Sequence, residues 1–172
     1  VEQLRLLPVQ SDGRTMPLDT LARNAVWSVT GKRAWPGIDP VAMLVGWQID
    51  PQAWADQPVV RVKGDVAQRI GLAPGTRYAS FRALLENAEL RTALGEARAR
   101  EGAEKKPTPI DKHVGQLEER LGVLNDALRG EAIRPIPAAD PNETWGATPG
   151  LRSASDLVGF GEQIRSAALA HY

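Results

Sequence analysis

The sequence predicts a mainly α-helical fold that opens with a short β-hairpin and contains an antiparallel helical hairpin. Apolar residues recur at helical spacing through most of the chain from residue 80 onwards. Strand-like patterns are confined to residues 4–16 and, more weakly, to residues 58–62. An Asp-Pro pair occurs at residues 39–40 and again at 50–51. Each pair predicts a helix start, because Asp caps the first turn and proline fits its first position.

The predicted hairpin turns at Asp12-Gly13. This dipeptide favours the positive φ angles that two-residue hairpin turns require. Pro8 and Pro17 restrict the ribbon to a sheet edge, because proline cannot donate a ladder hydrogen bond. Two strands alone bury too little surface to be stable, so we expect the hairpin to pack on the next helix. Gly13 and Pro17 are therefore interpreted as structural residues of a brace.

Three aspartates are predicted to cap the early helices. Asp19 is the expected N-cap of the first helix, which ends at Gly31. Asp39 and Asp50 are the expected caps of the next two helices, and we interpret all three aspartates as structural. Trp27 lies off the apolar stripe of the first helix, so it must either pack against another element or be exposed.

The second half of the chain reads as helices separated by a proline-rich break. Ser80 predicts the cap of a short helix, and a longer one is expected over about 88–103. After the break at 105–109, apolar residues alternate at spacings of four and three, which is typical of a helix that pairs with its neighbour. This seam consists of Ile110, Val114, Leu117, Leu121, Leu124 and Leu128.

Two regions are expected along the chain. Residues 1–150 are predicted to form the mainly helical domain with its N-terminal hairpin. Residues 151–172 are predicted to form a C-terminal helical arm that packs on this domain or leads to the rest of a longer protein.

Composition argues against several functional classes. Basic and acidic residues both number 21, so the chain lacks the positive excess typical of nucleic-acid binding. There is no cysteine, which removes thiolate nucleophiles and cysteine-based metal sites. No metalloprotease motif or serine elbow is present. We therefore expect no catalysis, no metal site and no cofactor in the isolated chain.

The two histidines of the chain are its strong candidates for metal or haem ligation and for general-base work. His113 sits at the edge of the helical seam, so we interpret it first as a half-covered boundary residue and keep it as a weak haem-ligand candidate. His171 is close to the end of the sequence.

Exposed basic and aromatic residues are the best candidates for partner contacts. A local basic cluster could face anionic lipid headgroups or a haem propionate, or could be an ordinary solvated surface. It consists of Arg61, Lys63, Arg69, Arg77 and Arg82, with Asp65 as the opposing acid. Tryptophan is enriched at interfaces because it combines an apolar body with one donor. The candidate partner-binding residues are Arg14, Trp27, Trp35, Arg61, Lys63 and Arg77.

Six segments resemble, in their order, the extracytoplasmic soluble region of CcsA/ResC-type cytochrome c biogenesis membrane proteins. They include "LPVQSDGRTMPLDTLARNAVW" at 7–27, "DPVAMLVGWQIDPQAW" at 39–54 and "DKHVGQLEERL" at 111–121. The others are "RYASFRALL" at 77–85, "EKKPTP" at 104–109 and "IRPIPAADPNETWGA" at 133–147.

The resemblance implies a non-catalytic scaffold or docking role in haem delivery to apocytochrome c. It implies a periplasmic location, with the full-length protein tethered to the cytoplasmic membrane and able to contact the membrane surface. The implied partners are the membrane-embedded remainder of the same protein, and apocytochrome c or its thiol-reducing partners. Haem, and a part in haem ligation, are implied only for the parent protein, since this chain lacks that family's Trp-Trp-Asp segment.

An extracytoplasmic sensor domain that binds a small ligand between helices is the alternative. A deep apolar pocket with one or two convergent polar groups would favour the sensor. A shallow apolar patch ringed by charge would favour docking.

Overall fold

The structure is a computed structural model that describes residues 2–138, 140, 142–148 and 150–159. Within these residues the fold is mainly α, as predicted, with two small antiparallel sheets. A 3-10 turn at Glu2–Leu4 precedes the first strand. The elements are β1 Pro8–Ser11, β2 Arg14–Pro17, α1 Leu18–Thr30, α2 Pro40–Ile49, α3 Pro51–Ala55, β3 Val60–Arg61, α4 Gly64–Arg69, β4 Tyr78–Ala79, α5 Phe81–Glu86, α6 Ala88–Gly102 and α7 Pro109–Leu128.

The predicted hairpin is present and packs on α1. Strands β1 and β2 pair antiparallel with Val9 opposite Met16. Asp12 and Gly13 both have positive φ, 49° and 71°, as a two-residue turn of this kind requires. Val9 is fully buried, and the neighbouring Gln10 N–H donates to the Arg134 carbonyl at 3.0 Å. The hairpin therefore lies between α1 and the irregular segment that follows α7.

The prediction that Asp19 caps α1 is wrong. The helix begins at Leu18, its N-cap is the extended residue Pro17, and no side chain caps it. Leu18 is fully buried, and its N–H donates to the Leu7 carbonyl at 2.8 Å. Burial of Leu18 at the end of the hairpin thus sets the helix start. As a result, Asp19 lies in the first turn and pairs with arginines instead.

The predicted caps at Asp39 and Asp50 are confirmed. Asp39 accepts from the Val41 and Ala42 amides at 2.9 and 3.3 Å, and Asp50 accepts from the Ala53 amide at 3.3 Å. A proline stands at the start of α2 and of α3. Helix α2 is buried around most of its circumference, so it lies at the centre of the fold.

Helix α7 is the long central element. The middle of the predicted seam is buried, whereas Ile110 and Leu128 at its two ends are half-buried. The helix packs against α6, as the predicted helical hairpin requires, and also against α1 and α2. Within α6 the buried residues are Leu90 and Ala93, so most of its surface faces solvent. A capping box between Thr108 and Asp111 begins α7.

The second sheet differs from the prediction. The strand expected over residues 58–62 is reduced to Val60–Arg61, which pairs antiparallel with Tyr78–Ala79. The latter strand was not predicted from the sequence. A strand of two residues shows too little alternation of apolar and polar side chains to be recognised in a sequence. Its pairing depends on the surrounding core.

The end of the chain is described only as far as residue 159. Leu151 and Leu157 are buried against the core, and residues 154–159 are helical. The rest of the predicted C-terminal arm, including His171, lies outside the described residues. In the described part of the chain, every helix is too short or too polar to cross a bilayer.

Candidate functional site

A basic cleft of about 1050 Å³ lies beside the second sheet. It is bounded by the residues after α1, the β3–β4 pair, α4 and the loop before β4. Four cations line it, namely Lys32, Arg61, Lys63 and Arg77, and Asp65 is the acidic residue among its lining side chains. The structure thus brings together three of the predicted partner contacts and adds Lys32, which sequence reasoning missed.

The short β3–β4 ribbon positions two of these cations. Arg61 stands opposite Tyr78 in the antiparallel register, and the Val62 N–H donates to the Arg77 carbonyl at 2.9 Å. This pairing places Arg61 and Arg77 at the same end of the ribbon. Lys63 follows directly as the N-cap residue of α4.

The end of α1 accommodates the Arg61 side chain. Gly31 ends α1 with a φ of 68°, and a Cβ built at this position would lie 2.6 Å from the Cδ atom of Arg61. Behind the ribbon, Arg120 of α7 donates to the Ser28 carbonyl at 3.1 Å and to the Arg61 carbonyl at 3.3 Å. The backbone of residue 61 is therefore held by α7, and its side chain lies against the end of α1.

Lys32 is held over two aromatic rings. Its Nζ atom lies 5.1 Å from the ring centroid of Trp35 and 5.5 Å from that of Tyr78, within the range of a cation–π interaction. The two rings meet edge to face, and the Tyr78 hydroxyl donates to the Thr30 carbonyl at 3.1 Å. Trp35, predicted to contact a partner directly, is half-buried behind this lysine and outside the cleft lining.

Asp65 is engaged by His113 of α7. The Nδ1 atom of His113 lies 2.5 Å from a carboxylate oxygen of Asp65. Burial acts to raise the pKa of Asp65, but hydrogen bonds from His113 and from the Val66 amide outweigh it and hold this pKa below its usual value. His113, which the sequence offered as a weak haem-ligand candidate, is therefore paired with the Asp65 carboxylate at the edge of the cleft.

The four cleft cations lack acidic partners among the residues that the structure describes. Among the described residues, no carboxylate lies within 4.0 Å of a charged nitrogen of Lys32, Arg61, Lys63 or Arg77. Behind the cleft, burial lowers the pKa of Arg120, and the positive charge of Arg61 lowers it further. The cleft is thus a preorganised positive site.

The other two partner candidates lie apart from the cleft. Arg14 is exposed at the start of β2, and Trp27 is 61% exposed on α1. Neither belongs to the lining of the cleft. Gly13, Pro17, Asp39 and Asp50 take the structural positions described above. In the ranges that the structure describes, no group of three or more side chains could hold a metal ion.

Comparison with known proteins gives one informative similarity. No protein-family model matches the chain. Over 136 residues the chain is 26% identical to Protein NrfI of Wolinella succinogenes. The match covers 77% of this chain but 15% of the length of NrfI. This similarity suggests a link with cytochrome c biogenesis, and the resemblance noted in the sequence suggests the same link.

Proposed function

We propose that the chain is a non-catalytic, extracytoplasmic docking domain of a cytochrome c assembly protein, and that the basic cleft is its docking site. The similarity to NrfI over 77% of the chain carries this proposal, because it suggests a role in cytochrome c maturation. The ordered motifs that resemble CcsA/ResC-type proteins support the same role. The small share of NrfI that is matched is consistent with one domain of a larger assembly protein.

The chemistry of the cleft suits recognition. Its lining combines guanidinium and ammonium groups with small and apolar residues such as Ala73 and Pro74. Such groups bind anionic partners through charge-assisted hydrogen bonds. The proposed partners are the membrane-embedded remainder of the parent protein, and apocytochrome c or its thiol-reducing partners. In this proposal the domain lies in the periplasm and haem is handled by the parent protein.

A second apolar cavity bears on the sensor alternative. It lies between Leu4, α2 and Trp54 and has a volume of about 250 Å³. Pockets for small ligands usually enclose roughly 300–1000 Å³. This apolar cavity is below that range, so it gives the sensor alternative no support.

The proposal is tested in a host whose c-type cytochromes depend on the parent gene. In the parent protein, one triple variant carries Arg61→Gln, Lys63→Gln and Arg77→Gln. A matched control carries Lys105→Gln, Lys106→Gln and Lys112→Gln, three exposed lysines outside the cleft lining, and has the same net charge. Covalently bound haem in the cytochrome fraction should fall severalfold with the cleft variant and stay normal with the control, at equal abundance of the parent protein. Normal maturation with the cleft variant would refute docking at this site.

A further inference from the structure

We propose that the basic cleft binds an acidic peptide segment of a partner protein. The inference rests on the proposed docking function and specifies the chemistry of the partner. It is drawn from the unpaired charges of the cleft, from the way those charges are held, and from the shape of the site.

The cleft is marked by four unpaired cations that line one concave site, whereas unpaired cations on other described faces, Arg14 and Lys112 among them, lie outside this lining. Other arginines meet acids of the same chain: Arg69 contacts Glu89 and Glu96, and Arg82 contacts Asp56. The four cleft cations have no such partner among the described residues, and the nearby carboxylate of Asp65 is taken by His113. Like charges held together repel one another, so an anionic ligand would relieve a repulsion that the fold leaves in place.

Two of the four cations also have side chains that lie against other groups of the fold before any ligand arrives. Lys32 is fixed over Trp35 and Tyr78, and the Arg61 side chain lies across Gly31. Preorganised groups lose less conformational entropy on binding than free side chains do.

The distribution of charge favours a peptide over a compact anion or a membrane. The cations come from three segments, at Lys32, at 61–63 and at Arg77, around a cleft of about 1050 Å³, so carboxylates spaced along a chain can reach several of them at once. A membrane surface is flat, whereas these cations line a concave site, and exposed Trp27 lies outside it. Leu72, Ala73 and Pro74 offer apolar contact for the peptide chain.

Binding of a fluorescein-labelled octaglutamate peptide to the 172-residue chain tests the inference by fluorescence anisotropy. We expect saturable binding that weakens as salt is raised. The cleft triple variant should weaken it at least about tenfold, since three partly exposed ion pairs are lost. The lysine control triple should change it less than about twofold. The single variant Arg77→Glu provides a second test of peptide binding. Arg77 joins the β3–β4 pairing through its backbone and not through its side chain, so this substitution leaves the pairing group in place.

Three results would overturn the inference: no saturable binding of the peptide, equal loss of binding in both triples, and binding of phosphatidylglycerol vesicles or pyrophosphate in place of the peptide. The cellular assay separates this failure from failure of the proposed function. If the cleft triple impairs maturation but the wild-type chain does not bind the peptide, the docking function is supported and the inference of an acidic peptide partner is wrong. If the cleft triple loses the peptide but maturation is normal, the peptide site stands and the docking function is wrong.

Discussion

At the scale of single residues, Arg5 connects the starts of two helices. Its guanidinium donates to Asp19 in α1 at 2.5 Å and to Asp39, the N-cap of α2, at 2.6 Å. Asp19 also accepts from Arg23 at 2.7 Å, and hydrogen bonds from Arg23 and Arg5 hold its pKa below the usual value. The carboxylate expected to cap a helix instead joins the N-terminal turn to α1, so the opening stretch is still best interpreted as a brace.

Replacing Asp19 tests this brace. We expect Asp19→Ala to lower the free energy of unfolding by roughly 1 kcal/mol, because it removes two partly exposed ion pairs and a favourable charge in the first helical turn. Urea titration followed by circular dichroism measures the change. Glu101→Ala, in the last turn of α6 and outside any ion pair among the described residues, is the control. An unchanged unfolding curve for Asp19→Ala combined with a block in maturation would identify a recognition site instead.

Asp111 gives a prediction for the dependence of stability on pH. Hydrogen bonds from Arg100 and then from Thr108 lower its pKa from 3.8 to about 2. Because this pKa is lower in the folded than in the unfolded protein, the stabilisation is complete above about pH 4 and is lost as the pH falls toward 2. The urea midpoints of wild type and Asp111→Asn should therefore converge over this range, with wild type more stable at pH 7. A constant difference down to pH 2 would contradict this assignment.

At the scale of elements, the hairpin and α7 depend on different physics. The hairpin relies on backbone conformation at its turn, since Asp12 and Gly13 both adopt positive φ. Helix α7 relies on burial, since its seam packs on several elements at once. Substitutions in the two elements should therefore destabilise the protein for different reasons and to different extents.

The turn is tested by comparing two substitutions at Gly13. A Cβ at this position would meet nothing within 4 Å, so any cost comes from the φ of +71°. Gly13→Val should lower stability by about 1–2 kcal/mol, because a branched L-residue resists this conformation. Gly13→Asn should cost less, since Asn tolerates positive φ. Thermal unfolding of both variants measures the difference, and equal destabilisation would count against strain as the cause.

The α7 seam is tested by two truncations of leucine. Leu124 is fully buried, whereas Leu128 in the last turn is half-buried. Leu124→Ala should lower the free energy of unfolding by about 2–5 kcal/mol, because it leaves a cavity in the core. Leu128→Ala should cost less than Leu124→Ala. Urea unfolding of both variants gives the comparison, and the reverse order would show that the centre of the packing lies elsewhere.

At the scale of the whole molecule, paired charges connect elements of the fold, whereas the cleft collects cations that have no acidic partner among the described residues. Ion pairs connect elements, as between Arg98 of α6 and Glu118 of α7. The basic cleft is a region of the described surface where cations accumulate without such partners. The net charge of zero therefore conceals a local positive site.

We predict that the isolated chain does not bind haem tightly. His113 is held against Asp65, and the chain has no Trp-Trp-Asp segment. Haem titrated into the chain should produce no saturable shift of the Soret band at low-micromolar concentration, and His113→Ala should behave like wild type. A saturable site that His113→Ala abolishes would make this histidine a haem ligand.

The candidate site was only partly predictable from the sequence. Arg61, Lys63 and Arg77 lie close enough in the chain to be recognised as one basic cluster. Lys32 was not recognised, because its position in the cleft depends on packing of the end of α1 against Trp35 and Tyr78. The predicted roles of Arg14 and Trp27 as partner contacts stay predictions.

The sequence by itself determined the features that local chemistry controls. Asp39 and Asp50 begin helices because a side chain and the amides it caps lie within three residues of each other. The hairpin turn and the apolar seam of α7 are local in the same sense. Only the tertiary structure decided the start of α1, the partners of Asp19 and the pairing of β3 with β4. Those outcomes depend on burying Leu18 and on contacts between distant segments, whose free energy is gained only when the core assembles.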